Sequence, residues 1–494
     1  MKLLFVSAVL ICMGVTAAAY KGEVFESDDL RIYPIPENFP VKMPAPKYRV
    51  RVNGHELGLY VDTNVFKGLV HFAAFEFDPS KPVKVDIFLP YATKKVQLLP
   101  AKYGLKIRHA AQLISFEVKE PDSMITLILG DNYQQSPVLH LFANAITRDP
   151  PTRNTPGVHY FGPGYHDLKA EIGKDELHLD GNDVAYLALG AVIDGKISLG
   201  GSAKLWGSGM LMRNRYEGML LTSSYSRDAK ISGVIAYNSK PQCWTCGCHE
   251  VNGLEVNNLK IVAPHYASTD GFDVVNSKNI HFKNCFVRAS DDAVVLKGLA
   301  GHDKKISECP PNENLLFEQM QLWNDCNNAF NMGAEARASA YRNITLRDSD
   351  ILFSYDDPNH HGKLDERSAM SISVVDGTGF ENILFEDIRV YRCERLICLN
   401  FLESFWFGSL KGDQTGPGGI KGITFRRIYS PNNSGSPIAN QILLHAWNGV
   451  NNTPVKRFEN VLFEDVIIQG RPLTANSPFI RNETPKLIDL KITR

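Results

Sequence analysis

The sequence predicts an all-β protein: a parallel β-solenoid preceded by a small antiparallel β-sandwich. Three observations point to it. One strand phrase recurs seven times after residue 250. Short runs with period-two alternation, punctuated by Gly, Pro, Asn and Asp, fill the region before residue 155. No stretch carries the sustained 3.6-residue period that a helical bundle or a βαβ fold requires.

Residues 1–19 stand apart. Met1 to Tyr20 reads MKLLFVSAVLICMGVTAAAY: one Lys, an apolar run, then small residues. This is the pattern of a secretory signal cut near Ala18 or Ala19, and the run is short for a membrane span. The remainder is expected to be secreted, with no membrane partner. Export permits disulfides. Without Cys12, eight cysteines remain: Cys243, Cys246, Cys248, Cys285, Cys309, Cys326, Cys393 and Cys398. Disulfides are the better reading of that even number than a zinc site at Cys243, Cys246 and Cys248. Sequons at Asn343, Asn432, Asn451 and Asn482 are compatible with a glycoprotein.

Residues 20–155 form the expected sandwich. Its strand-like runs include Tyr48 to Val52 before Asn53-Gly54, Val83 to Phe88, Ile114 to Val118, and Met124 to Leu129. The proline-rich stretch from Asp149 to Gly157 is a poor strand, because proline donates no ladder hydrogen bond, and it reads as the linker.

The solenoid, the expected catalytic domain, is assigned to residues 157–494. Its phrase is Asn or Gly, then apolar-x-apolar, as in Asn279-Ile280-His281-Phe282 and Asn382-Ile383-Leu384-Phe385. The anchors fall at Leu254, Ile280, Leu315, Ile344, Ile383, Ile423 and Val461, spaced by 26, 35, 29, 39, 40 and 38 residues. Self-similarity at this period implies stacked coils, with inward apolar residues about 4.8 Å above their equivalents. The Asn suits a sharp bend, since its side chain tolerates left-handed backbone. Unequal spacing means that loops of different length leave the coils, and such loops often build a groove.

Two acidic phrases carry the candidate chemistry: Thr269-Asp270-Gly271-Phe272-Asp273 and Ser290-Asp291-Asp292-Ala293, followed by Lys297. Asp270 and Asp291 are 21 residues apart, about one minimal coil. Asp-Gly alone is commonly a turn, and an Asp pair alone is commonly a strand edge. At one-coil spacing they place three carboxyls on one face, where mutual repulsion raises at least one pKa. A protonated carboxyl beside an ionised one is what glycoside hydrolysis uses.

The Thr269-Asp270-Gly271, Asp291-Asp292 and Lys297 string resembles the polygalacturonase-type glycoside hydrolases of family 28 and the dextranase and isopullulanase group of family 49. The resemblance covers roughly residues 157–400. It implies a right-handed parallel β-helix, hydrolysis of α-glycosidic bonds with inversion, Asp291 as general acid, and Asp270 and Asp292 as the groups that hold and activate water. A leading sandwich followed by Tyr160-Phe161-Gly162-Pro163-Gly164 is more like the dextranase group. The chain departs from polygalacturonases at two places. It lacks their Gly-His-Gly phrase, having Asn328-Ala329-Phe330-Asn331-Met332-Gly333 there, and their Arg-Ile-Lys phrase, the nearest region being Arg367-Ser368-Ala369-Met370. Both departures favour a neutral glucan over galacturonan.

Lys297, Asp273, Trp323, Asn328 and Arg367 are the candidate substrate-binding residues. Tyr355 and Phe405-Trp406-Phe407 are possible sugar platforms or core fillers, and Glu335 lines a groove or a turn. His360 and His361, near Asp356, Asp357 and Asp365, match no familiar ligand spacing, so neither metal nor cofactor is expected. With Lys+Arg 53 against Asp+Glu 54, the net charge of −1 argues against a nucleic-acid partner. The expected partner is a polysaccharide, met by a monomer. The competing classes are a calcium-dependent polysaccharide lyase on the same architecture and a secreted carbohydrate-binding solenoid without catalysis.

Overall fold

Ordinary β geometry accounts for how the chain spreads its strands into three layers. The computed structural model describes residues 21–214, 217–240, 244–356, 367–405, 410–432, 434–450 and 452–494. The expected leader lies outside them. Among the described residues no helix is long and apolar enough to cross a membrane.

The first layers are two stacked sheets. A five-stranded sheet contains Arg49–Val52, Val83–Phe88 and Leu113–Val118. A seven-stranded sheet contains Leu69–Phe77, Ser123–Leu129 and Val138–Ala145. Val50, Val85, Ile114, Leu127 and Leu141 meet between them in one apolar core. Antiparallel pairing holds throughout except where Val138–Ala145 runs parallel to Leu69–Phe77. Ser123–Leu129 is buried along its whole length, and the reason lies on its far side. There Met124, Ile128, Val138 and Phe142 pack against Val192, Met210, Tyr237, Phe286 and Trp323 of the next layer.

That next layer is a right-handed parallel β-helix. A 21-stranded sheet wraps two of its faces, and an 11-stranded parallel sheet closes the third. The seven sequence anchors stack in strict register: Leu254 on Ile280, then Leu315, Ile344, Ile383, Ile423 and Val461. The column extends beyond the phrase to Ala229 below and Leu490 above. Aromatic residues two positions on stack likewise. Phe385, Phe425 and Phe463 lie 4.9 and 5.1 Å apart with rings within 10° of parallel.

The recurring asparagine has two physical tasks. Asn279, Asn314, Asn343 and Asn382 all adopt left-handed backbone, with φ between 54° and 57°. Their side chains then form a ladder, in which each amide donates to the carbonyl of the coil before it at 2.7–3.0 Å. Asn343 donates to Asn314 and accepts from Asn382. Replacing it by Ala removes both bonds and leaves a Cβ residue without its local hydrogen bond at positive φ, a loss of about 1–3 kcal/mol. Asn343→Gly, which relaxes the backbone, is expected to lose less. Urea midpoints of the two variants check this order.

Candidate active site

The acidic residues occupy consecutive rungs of the 11-stranded sheet, just before its strands Phe272–Val275, Val294–Leu299 and Phe330–Arg337. Backbone hydrogen bonds set the alignment. The Gly271 amide donates to the Asp292 carbonyl, and the Ala293 amide to the Asn328 carbonyl. Asp270, Asp292 and Asn328 therefore stand directly above one another. The spacing predicts Asp270 and the Asp291/Asp292 pair on one face; the register puts Asp292 directly over Asp270, with Asp291 beside it. Carboxylate oxygens of Asp270, Asp291 and Asp292 lie within 4.8 Å of one another. Asp270 and Asp292 are buried, while Asp291 is half-buried and nearer solvent.

One cation lies under this cluster. Lys297 Nζ is 2.8 Å from Asp270 Oδ2 and 3.1 Å from Asp273 Oδ1, and it sits 4.0 Å from the centre of the Trp244 ring. Burial works against the Lys297 charge, but Asp273 and Asp270 outweigh it and hold the ammonium well above its usual range. Burial pushes Asp270 up; Lys297 pulls it down and Asp291 pushes it up again, leaving it at about 6. Asp292 is raised well above its usual range, first by burial and then by Asp270 and Asp291. One ammonium cannot neutralise four carboxyls, so at neutral pH the cluster retains a proton.

Asparagines hold the carboxyls in place. Asp292 Oδ1 accepts from the backbone amide of Asn328 at 3.1 Å and from its side chain at 2.8 Å, and Oδ2 accepts from Asn331 Nδ2 at 3.0 Å. Asp291 Oδ1 accepts from Asn327 Nδ2, and Asn324 Nδ2 donates to the Asp291 carbonyl at 2.6 Å. Neutral donors orient the acids without adding positive charge; the Asn331 bond lowers Asp292, but burial and the neighbouring carboxyls outweigh it.

The structure redistributes the other expected residues. Asp273 is fully buried and paired with Lys297, so it has no surface for a sugar. Lys297 and Asn328 are committed to the acids. Arg367 sits behind them, donating to the Cys326 carbonyl and to Asp356 Oδ1, both at 2.6 Å. Trp323 is a correction. It is completely buried between the helix and the seven-stranded sheet, with its indole NH on Asp325 and Arg288 over its ring. Its apolar-x-apolar setting marks only a strand, and in this coil the outward face is also covered. Glu335 is half-buried, and its charge helps to raise Lys297. His360, His361, Asp357, Asp365, Trp406 and Phe407 lie outside the described residues. Trp244, Asn324 and Asn327 were missed as site residues. Trp244 was hidden within a cysteine cluster, and the asparagines within a stretch read only for its lack of histidine.

The cysteine expectation is also corrected. No disulfide joins the described residues, and Cys248, Cys285, Cys309, Cys326 and Cys393 stand as thiols on separate rungs. Cys243 lies outside the described residues. Among the sequons, Asn432 is buried, with its amide on the Cys393 carbonyl at 2.7 Å, and offers no acceptor surface for a glycan.

The raised carboxyls make a stability prediction. A carboxyl whose folded pKa exceeds its unfolded value, about 3.9 for Asp, stabilises the fold while protonated and loses that contribution as pH rises through the folded value. The melting temperature of Asp292→Asn relative to wild type is therefore expected to climb with pH, by roughly 2 °C or more between pH 4 and 8. Scanning calorimetry across that range measures it; a flat or falling difference contradicts the repulsion described above.

Comparison with known proteins bears on the same segment. The model of Glycosyl hydrolases family 28 matches residues 146–307, which contain all three clustered acids and Lys297. No curated protein matches the chain. Dex49A from Penicillium minioluteum superposes with a TM-score of 0.57 at 12% identity, covering 95% of this chain and 100% of that one. The Yersinia enterocolitica family 28 exopolygalacturonase gives 0.45 at 12% identity, covering 88% of this chain and 98% of that one. Erwinia carotovora polygalacturonase gives 0.38 at 14% identity, with 68% and 88% covered. Dex49A shares the parallel β-helix fold, and the family 28 match falls across the acid cluster: the chain is a glycoside hydrolase, similar over that segment to family 28.

Proposed function

We propose that the protein is a secreted hydrolase of an α-linked, neutral polysaccharide of the dextran kind, acting by inversion through Asp270, Asp291 and Asp292. The observation that carries this reading is the trio itself: three carboxyls within 4.8 Å, two of them held above the usual range.

The roles follow from position. Asp291 is the most exposed of the three and is fixed from behind by Asn327, which suits a general acid reaching the glycosidic oxygen. Asp270 and Asp292 are one rung apart, about 4.8 Å, so one water can lie between their carboxyls. The ionised member takes its proton as that water attacks the anomeric carbon. Asp291 delivers its own proton to the departing oxygen, and the bond to the leaving sugar breaks. Lys297 keeps Asp270 ionisable by offsetting its charge. Paired carboxyls usually stand about 6.5–9.5 Å apart in inverting enzymes and about 5–5.5 Å in retaining ones. The third carboxyl removes that distinction here, because the water is held by a pair and need not fit between acid and base.

A neutral substrate is supported by where the nearby cations point. Lys297 is committed to Asp270 and Asp273, and Arg367 to Asp356. A uronate carboxylate at the cleavage point would meet clustered acids instead of a cation. Reducing-end release from dextran, pullulan and polygalacturonate tests this: dextran or another neutral glucan is expected to be cut, and polygalacturonate to be cut poorly. A product absorbing in the ultraviolet would mean elimination and a lyase. Activity surviving exhaustive chelation is expected, because Lys297 already supplies positive charge to the cluster.

Asn substitution at Asp270, Asp291 or Asp292 is expected to lower kcat by about 10²–10⁴-fold, without additivity, while circular dichroism is unchanged. Full activity in all three variants would leave only a carbohydrate-binding role. The acid limb of kcat/KM is expected near pH 6, where Asp270 gives up its proton. Proton NMR of fresh product is expected to show the anomer opposite to the substrate linkage; the same anomer would identify one Asp as a nucleophile.

A further inference from the structure

A pocket of about 280 Å³ lies at the seam between the seven-stranded sheet and the β-helix, remote from the acids in sequence. We propose that it is a second sugar-binding subsite, which takes a neutral pyranose unit of the same polysaccharide chain. The proposal rests on the hydrolase reading for the identity of the chain, and on the pocket alone for the sugar.

Its walls come from two layers. Asp131, Asn132, Tyr133 and Gln134 belong to the loop joining Ser123–Leu129 to Val138–Ala145, and Tyr355 and Arg392 to successive coils of the helix. Gln134 pins the loop, its amide donating to the carbonyls of Asp325 at 3.2 Å and Asp356 at 3.3 Å. The floor is aromatic: Phe353 and Tyr355 are stacked 5.1 Å apart at 3°, and Phe353 lies 5.5 Å from Tyr133.

Arg392 is the telling residue. Its guanidinium is 5.0 Å from the Tyr133 ring centre, yet it makes no hydrogen bond or ion pair with any described residue. An arginine placed over an aromatic ring, with donors that no described residue accepts, is arranged to receive acceptors from outside. Asp131, whose Oδ2 pairs with Lys95, and Asn132, whose Oδ1 also accepts from the Gln135 amide, are exposed and add acceptor oxygens to the same rim. Donors and acceptors side by side suit vicinal hydroxyls, each of which both gives and takes a hydrogen bond. A site built for an anion would not expose a carboxylate at its edge.

Register relates the pocket to the acids. Ala289 pairs with Asn324, and Asn324 with Ser354. Tyr355 is therefore two rungs above Ser290, the neighbour of Asp291, or about 10 Å along the helix axis. The pocket is thus offset from the acids along the axis, so the subsite engages only chains long enough to reach it.

The test is chain-length dependence. With α-linked gluco-oligosaccharides of increasing length, Arg392→Gln and Asn132→Ala are each expected to raise KM about tenfold for long chains and little for disaccharide or trisaccharide, a loss of roughly 1.4 kcal/mol in binding. Equal effects at every length, or none, would overturn the subsite. NMR titration of the wild-type chain with isomaltose and with galacturonate gives a readout independent of turnover. Isomaltose shifts at Asn132 and Gln134 that Arg392→Gln abolishes support the subsite, even if no glycan is hydrolysed. Shifts with galacturonate alone would refute a neutral ligand, and no shift with either sugar would refute the pocket as a binding site.

Discussion

The rung spacing of a parallel β-helix is the constraint on which the site depends. Backbone ladders hold successive coils about 4.8 Å apart. Any residue type repeated at one position of consecutive coils is brought to that distance, whatever its charge. For Ile, Leu and Phe this yields the stacked apolar columns of the core. For Asp270 and Asp292 it forces two carboxyls together that would separate in a flexible chain. The backbone hydrogen bonds of many rungs outweigh the local repulsion, and burial first, then the neighbouring acids, raise the proton affinity of both carboxyls.

Much of this was legible in the sequence because the fold is periodic. Leu254, Ile280 and their five successors were separated by irregular loops, yet each carried the same local phrase, and all seven stack in one column. The earlier coils were less visible. Ala185, Leu205 and Ile231 stack in the same way, but without the Asn and Phe that make the phrase recognisable. The acids were legible for the same reason, but only as Asp270 facing a pair; which member of the pair, Asp291 or Asp292, stands directly over Asp270 was not. A one-residue difference of that sort is decided by the backbone bonds of the turn, which spacing alone does not encode.

What remained hidden was mostly a matter of which faces are covered. Trp323 has the sequence setting of an exposed platform, but the seven-stranded sheet lies over it. That packing also brings polar groups inside. Arg288 donates to both oxygens of Asp325 and to His140 Nε2 across the seam, and Lys260 reaches Asn144 at 2.6 Å. Burial lowers His140 well below its usual range, so it stays neutral and can accept from Arg288. Such paired groups fix the angle and register at which the two layers meet, since a shifted interface would strand a buried charge. The cysteines were misread because pairing them requires side chains that approach, whereas Cys248, Cys285 and Cys393 lie on different rungs of a core that is already filled.

The asparagine shell explains how the acid cluster is kept usable. If arginines held Asp291 and Asp292, the carboxyls would be firmly oriented but also driven to low pKa, and none would retain a proton near neutrality. If nothing held them, repulsion would swing them apart. Asn327, Asn328 and Asn331 donate to the carboxyls without charge, so they orient them while lowering their proton affinity less than a cation would. The single Lys297 then sets the asymmetry. It contacts Asp270 and leaves Asp292 to asparagine, which is why Lys297 is the main pull holding Asp270 down at about 6, while Asp292 stands well above its usual range. Two acids on neighbouring rungs thereby acquire different affinities for a proton, the condition for one to hold it while the other receives it from water.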